Sequence, residues 1–225
     1  MKAMINRILQ EINQFNAALK DPEEQRLIEE FVSCQSSGAR YVLGRNECAR
    51  AVIDAIEVQG VVDDYAVSGS SWYGKPLLHG SELPSNAIVV SCSLSISAVS
   101  ALNRLAGLNI KGAFALSGLC RLFPQQFDLP NQVDQSREDL LNNTEQWCQL
   151  HEALADRESR QTLEDVLRFR TMIDPATMKF YRVRRRQVTW LFNAWRARSL
   201  NPKRAHARRF IAELSPYLAG KIGDR

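Results

Sequence analysis

Residues 87–91, Ala-Ile-Val-Val-Ser, narrow the fold more than any other segment. A strand that is apolar on consecutive positions has to be covered on both faces, and that is the situation of a strand inside a parallel sheet. Three further short segments share its character: Ala-Arg-Tyr-Val-Leu at 39–43, Gly-Val-Val-Asp-Asp at 60–64 and Gly-Ala-Phe-Ala-Leu at 112–116. Helical patterns separate them. Asn46 is placed to cap a helix whose apolar face is Ala49, Val52, Ile53 and Ile56, and residues 95–108 read as a second crossover helix. Strand, helix, strand, loop, strand, helix, strand is the order of a parallel sheet with crossover helices. The expected fold is therefore α/β: a small Rossmann-like parallel sheet flanked by N-terminal and C-terminal helices.

The flanks are helical by spacing. Met4, Ile5, Ile8, Leu9, Ile12, Phe15 and Leu19 make one apolar face. Asp21-Pro22-Glu23-Glu24 then gives an N-cap, a proline at the first helical position and two acids at the positive end of the dipole. Leu27, Ile28, Phe31 and Val32 continue that helix. Two prolines mark 122–131 as a linker, and a helical region runs from Gln135 through Trp147 to Leu154. Asp156 is placed to cap a helix carrying Leu163, Val166, Leu167 and Phe169, and Asp174-Pro175 ends it or starts another. The expected divisions are 1–37 (N-terminal helices), 38–117 (Rossmann-like module), 118–181 (helical linker segment) and 182–225 (basic C-terminal tail).

Charge is unevenly spread along the 225 residues. Residues 1–170 hold 16 Lys and Arg against 22 Asp and Glu, whereas 171–225 hold 13 against 3, so an acidic body precedes a strongly basic end. The five cysteines stand singly and away from His79, His151 and His206, which gives no zinc-ligand spacing. They are expected to be small buried hydrophobes. With no secretion signal and no run of about 18 apolar residues, a cytoplasmic chain without a membrane span is expected.

The turn between the first strand and its helix is where such sheets receive phosphates, because helix N-terminal amides and a glycine let an anion approach. Here the turn is Gly44-Arg45-Asn46-Glu47, with one glycine of a dinucleotide fingerprint. Arg45 offers a phosphate a positive charge, and Glu47 opposes it. Asp63 follows Gly44 by 19 residues at the end of the second strand, where a carboxylate can accept from a ribose diol. Asp64 should point the other way. Ser91 lies on the same carboxyl edge, where its hydroxyl could touch a ligand or cap the following helix. The candidate ligand-binding residues are thus Gly44, Arg45, Asn46, Asp63 and Ser91, with both acids alternatively solvating a strand end. No catalytic residue and no metal ligand is expected: Gly-x-Ser-x-Gly does not occur around Ser91. Trp72-Tyr73 is expected to anchor a loop.

Tyr41-Val42-Leu43-Gly44-Arg45-Asn46, Gly60-Val61-Val62-Asp63-Asp64, Gly74-Lys75-Pro76 and Ile88-Val89-Val90-Ser91 together resemble the Rossmann-like N-terminal module of sugar acyltransferases. The stretches 154–160 and 165–170 resemble the segment that precedes the catalytic core in FkbM-type methyltransferases. The resemblance spans about residues 35–181. It implies a relative of proteins that use S-adenosylmethionine to methylate a hydroxyl, often on a sugar. The strand and glycine-rich turn of such a core do not follow Tyr181, so the expectation is a truncated relative, inactive alone and with no cofactor of its own. The alternatives are a stand-alone module for a nucleotide or nucleotide-sugar partner, and a nucleic-acid-binding protein.

The last alternative rests on the basic end. Arg184, Arg185, Arg186, Arg196, Arg198, Lys203, Arg204, Arg208 and Arg209 would neutralise phosphates in a salt-sensitive way. A basic amphipathic helix on an anionic membrane, a frame-shifted tail and an ordinary solvated helix are its competitors. Oligomeric state is open at this level.

Overall fold

The computed structural model describes residues 3–15, 21–33, 39–67, 69–94 and 98–178. The basic end at 182–225, with every expectation placed on it, lies outside the described residues. A six-stranded sheet forms the centre, built from β1 (Ala39–Leu43), β2 (Gly60–Val62), β3 (Ser71–Trp72), β4 (Lys75–Leu78), β5 (Ala87–Ser91) and β6 (Gly112–Ala115), in the order β3-β4-β2-β1-β5-β6. All neighbours are parallel except β3 with β4. The parallel strands thus run third, second, first, fourth, fifth in chain order, which follows the Rossmann order through its first five strands. The register sets Val42 beside Val61 on one side and beside Val90 on the other.

The sheet has six strands where the sequence suggests four. The extra pair is a hairpin in the stretch read as a polar loop and its continuation. Tyr73 and Gly74, with φ of 49° and 71°, form its two-residue turn. Two consecutive positive φ angles are what a tight hairpin of right-twisted strands needs. Strands of two and four residues are too short to show a period, and β4 draws its stability from pairing with β2, a neighbour distant in sequence.

Side chains alternate across the sheet as strand geometry requires. Val42, Ile88, Val90 and Phe114 face one side and pack with Ile28, Phe31, Ala49 and Val52 from helices α2 (Pro22–Val32) and α3 (Glu47–Ala55). Phe31 meets Phe114 edge to face, with ring centroids 5.3 Å apart. Tyr41, Leu43, Val62, Ala87 and Val89 face the other side against Leu105 of α4 (Ala98–Ala106). A short helix that the sequence reading did not separate, α5 (Leu116–Leu122), follows β6 directly and completes the first face through Leu119 and Cys120. At Gly118 an added Cβ would stand 2.5 Å from Ile28 Cδ1, so the missing side chain lets α2 approach α5.

The first helix, α1 (Ala3–Phe15), does not join α2 on the sheet. Ile5, Ile8 and Ile12 pack instead with α6 (Asn131–Asn142), α7 (Thr144–Ala153) and α8 (Arg157–Met172). The helical region read from 135 to 154 is two helices, broken at Asn143. Asp21, Asn46 and Asp156 cap their helices as expected, accepting from Glu23 N at 2.9 Å, Ala49 N at 3.0 Å and Ser159 N at 2.7 Å. Asp174 likewise accepts from Ala176 N, starting a single 3₁₀ turn with Pro175.

An ionic network fastens α1 to α8. Arg168 reaches Glu11 at 2.6 Å, Glu164 at 3.2 Å and Asp165 at 3.4 Å. Glu164 also meets Arg7 and lies 3.2 Å from His151 Nε2. Glu164 and Asp165 are buried, so removing Arg168 leaves Glu164 to Arg7 and His151 and takes from Asp165 the cation beside it. Arg168→Ala should therefore cost about 3 kcal/mol in chemical denaturation. A loss below about 0.5 kcal/mol, the scale of an exposed pair, would show that the network is solvated.

Glu24, in the first turn of α2, lies close to α5 and to the charge of Asp174. Burial, with the nearby charges of Asp174 and Asp21, raises its carboxyl above the ordinary 4.5, while Arg121 opposes them. A raised carboxyl contributes stability below its unfolded pKa, and that contribution disappears as pH rises through the folded value. Glu24→Gln should hence raise the melting temperature at pH 7, with the gap to the parent closing below about pH 4.5. A gap independent of pH would mean that the Glu24 charge is not its source.

Candidate functional site

The order of strands reverses between β1 and β5. From β1 the chain crosses to β2 and β4 on one side, then returns to β5 and β6 on the other. Open sheets receive ligands at the carboxyl ends of the two strands that flank such a reversal. The same rim carries Gly44, Arg45 and Asn46 after β1, Asp63 after β2 and Ser91 at the end of β5. Topology thus brings together all five sequence candidates.

Their individual partners differ from what a ligand contact alone would require. Gly44 has φ +112°, a conformation that L side chains rarely adopt, and an added Cβ there would stand 3.7 Å from the Cys92 carbonyl oxygen. Asn46 has two structural tasks. Its side-chain oxygen caps α3, and its Nδ2 donates to the Cys92 carbonyl at 2.7 Å. The turn after β1 is thereby pinned to the end of β5. Arg45 Nε lies 2.7 Å from Asp63 Oδ2 in an ion pair, and Tyr65 N donates to Asp63 Oδ1 at 3.0 Å. Asp63 therefore has a partner on each oxygen, and its side chain is only 12% exposed.

Arg45 is half-exposed, and its terminal guanidinium nitrogens have no partner among the described residues. Its Nε lies against a carboxylate, and the side chain is 47% exposed, which leaves its other donors within reach of solvent. Asp64 lies on the other face, as expected. It pairs with Arg104 of α4 and accepts from Gly80 N at 2.8 Å. Ser91 is 3% exposed, and its Oγ is buried with no hydrogen-bond partner among the described residues. A buried hydroxyl in that state is under-satisfied.

Three cysteines converge behind this rim, a grouping that their separation in sequence conceals. Cys92 and Cys120 belong to the sheet core, and Cys48 packs against it. Burial, then the neighbouring Glu47, pushes the Cys48 thiol up to about 11. Cys120, chiefly by burial, is pushed to about 12, and burial raises Cys92 well above the ordinary thiol value. All three are thiols at neutral pH, which is the inert state of a buried cysteine. Among the described residues, no three His, Cys, Asp or Glu side chains group to hold a metal ion, and no helix is long and apolar enough to cross a membrane. Trp72 packs against the sheet core and meets Tyr73 edge to face at 4.6 Å, with Arg50 over the Tyr73 ring, so this pair anchors the hairpin as expected.

S-adenosylmethionine, the cofactor implied by the family resemblance, fits these residues poorly. Its sulfonium is a cation, and the turn presents the Arg45 cation. A phosphate-bearing ligand has the complementary charge.

No family model matches this sequence, and no curated protein matches it. Among solved structures, the methyltransferase FkbM of Methylobacillus flagellatus KT is similar, with 21% identity and a TM-score of 0.44 over 78% of this chain and 50% of that one. The chain thus spans about half the length of that protein. The α/β assignment stands on the strand order and the parallel pairing.

Asn46 is the testable joint of the rim. Asn46→Ala should cost about 1–2 kcal/mol in denaturant unfolding, through the lost cap and the orphaned Cys92 carbonyl. Asn46→Asp keeps the cap but sets a carboxylate against that carbonyl, and should also be less stable than the parent. Parental stability in the Asp variant would mean that the bond to Cys92 contributes nothing.

Proposed function

We propose that this chain is a binding module for a nucleotide or nucleotide-sugar, related in architecture to the Rossmann-like part of FkbM-type methyltransferases. The observation that supports the reading is that Arg45, Asp63 and Ser91 follow or end the neighbouring strands β1, β2 and β5 on one carboxyl edge, with Arg45 paired to Asp63 and Ser91 carrying an unpartnered hydroxyl. In this reading Arg45 takes a phosphate oxygen and Asp63 holds the guanidinium in place. Gly44 leaves the backbone open to the ligand, and Ser91 gains the hydrogen bond it lacks. Asn46 keeps the rim shut beneath the ligand rather than touching it. The reading assigns recognition and no bond-making step.

Calorimetric titration of the full chain separates this from a methyl-transfer role. Nucleoside diphosphates or their sugar conjugates should bind, and S-adenosylmethionine should not. Arg45→Ala should weaken nucleotide binding by roughly tenfold or more, in line with the loss of a charge-assisted hydrogen bond. Asp63→Ala should weaken it too, by freeing the guanidinium. Unchanged affinity in Asp63→Ala, or micromolar binding of S-adenosylmethionine, would end the proposal.

A further inference from the structure

The Tyr65 ring takes no part in the contacts that build the rim. The residue is 93% exposed, the highest value among the large hydrophobic residues that remain exposed in the described structure. Tyr73, the other exposed tyrosine on this loop and hairpin, is engaged by Trp72 and Arg50. For Tyr65 the structure fixes the backbone and leaves the ring free. Its N–H donates to Asp63 Oδ1, and the next amide, Ala66 N, donates to the Asp63 carbonyl at 3.1 Å. One carboxylate therefore holds two things at once: the Arg45 guanidinium through Oδ2 and the root of the Tyr65 side chain through Oδ1.

That coupling has a chemical meaning. The Arg45 guanidinium and the Tyr65 backbone are held on the two oxygens of one carboxylate, which ties a phosphate-binding cation to the root of an exposed aromatic side chain. An exposed ring gains most from a planar π-system laid against it, and base-on-aromatic stacking tolerates any base. A sugar phosphate has the anion without the plane.

We infer that Tyr65 is the base-stacking residue of the rim, so that the ligand class is a nucleobase joined to phosphate rather than a sugar phosphate or a free phosphate. The inference rests on the nucleotide-binding reading and adds the class of ligand to it. The Tyr65 ring contributes affinity, Arg45 contributes anion selection, and Asp63 sets the spacing between them.

The test titrates the full chain with adenosine diphosphate, uridine diphosphate, glucose 1-phosphate and inorganic diphosphate. The parent should bind both nucleotides more tightly than the two probes without a base. Tyr65→Ala should weaken nucleotide binding roughly 5- to 100-fold, the range of a lost base–aromatic stack, and leave diphosphate unchanged. Tyr65→Phe should retain parental affinity. The side chain is exposed, so these variants should melt with the parent.

Nucleotide affinity that survives Tyr65→Ala overturns the stacking role while leaving the anion site intact, provided Arg45→Ala still weakens binding. Glucose 1-phosphate or diphosphate binding as tightly as the nucleotides overturns it as well. Failure of every probe to bind the parent overturns both this inference and the reading beneath it.

Discussion

Asn46 is the joint on which the candidate site depends. One side chain caps α3 with its oxygen and holds the Cys92 carbonyl with its nitrogen. Parallel strands diverge where their crossover connections leave in opposite directions, which opens a crevice at the reversal. The amide closes the floor of that crevice, and Gly44 supplies the positive φ that brings the chain round to it. What remains accessible is the rim above the joint, where Arg45 and Tyr65 stand.

The rim acids are spent on architecture in a way that still orders the surface. Asp63 and Asp64 are adjacent in sequence, yet one faces the β1 turn and the other faces α4. Period-two alternation sends them apart, and each finds an arginine. The pair with Arg45 is half-exposed and worth little to stability by itself. Its value lies in fixing where a positive charge and a turn sit relative to one another.

The helical part follows a different logic. The first helix crosses past the sheet to pack with the last three helices, so the chain's beginning and the end of its described part form one apolar cluster. Buried acids Glu164 and Asp165 are held there by Arg168. A second small cluster, Ala98, Val166, Phe169 and Met178, joins α4 to α8 and fixes this bundle against the sheet.

The sequence by itself determined the strands β1, β2, β5 and β6, the caps at Asp21, Asn46 and Asp156, and the burial of most of the cysteines. Each of these is local: an apolar run, a polar residue before a helical pattern, or a small hydrophobe without a ligand spacing. It also named the residues of the rim, because strand ends and turn glycines are visible in one dimension. Tertiary structure alone decided the hairpin β3–β4, whose short strands carry no period. It alone sent α1 and α2 to different cores, since both helices show the same kind of apolar face. It alone paired Arg45 with Asp63 and left Ser91 Oγ without a partner among the described residues, because such pairings depend on which strands become neighbours. Strand order is a contest among distant segments, and the spacing of residues along a chain does not record its outcome.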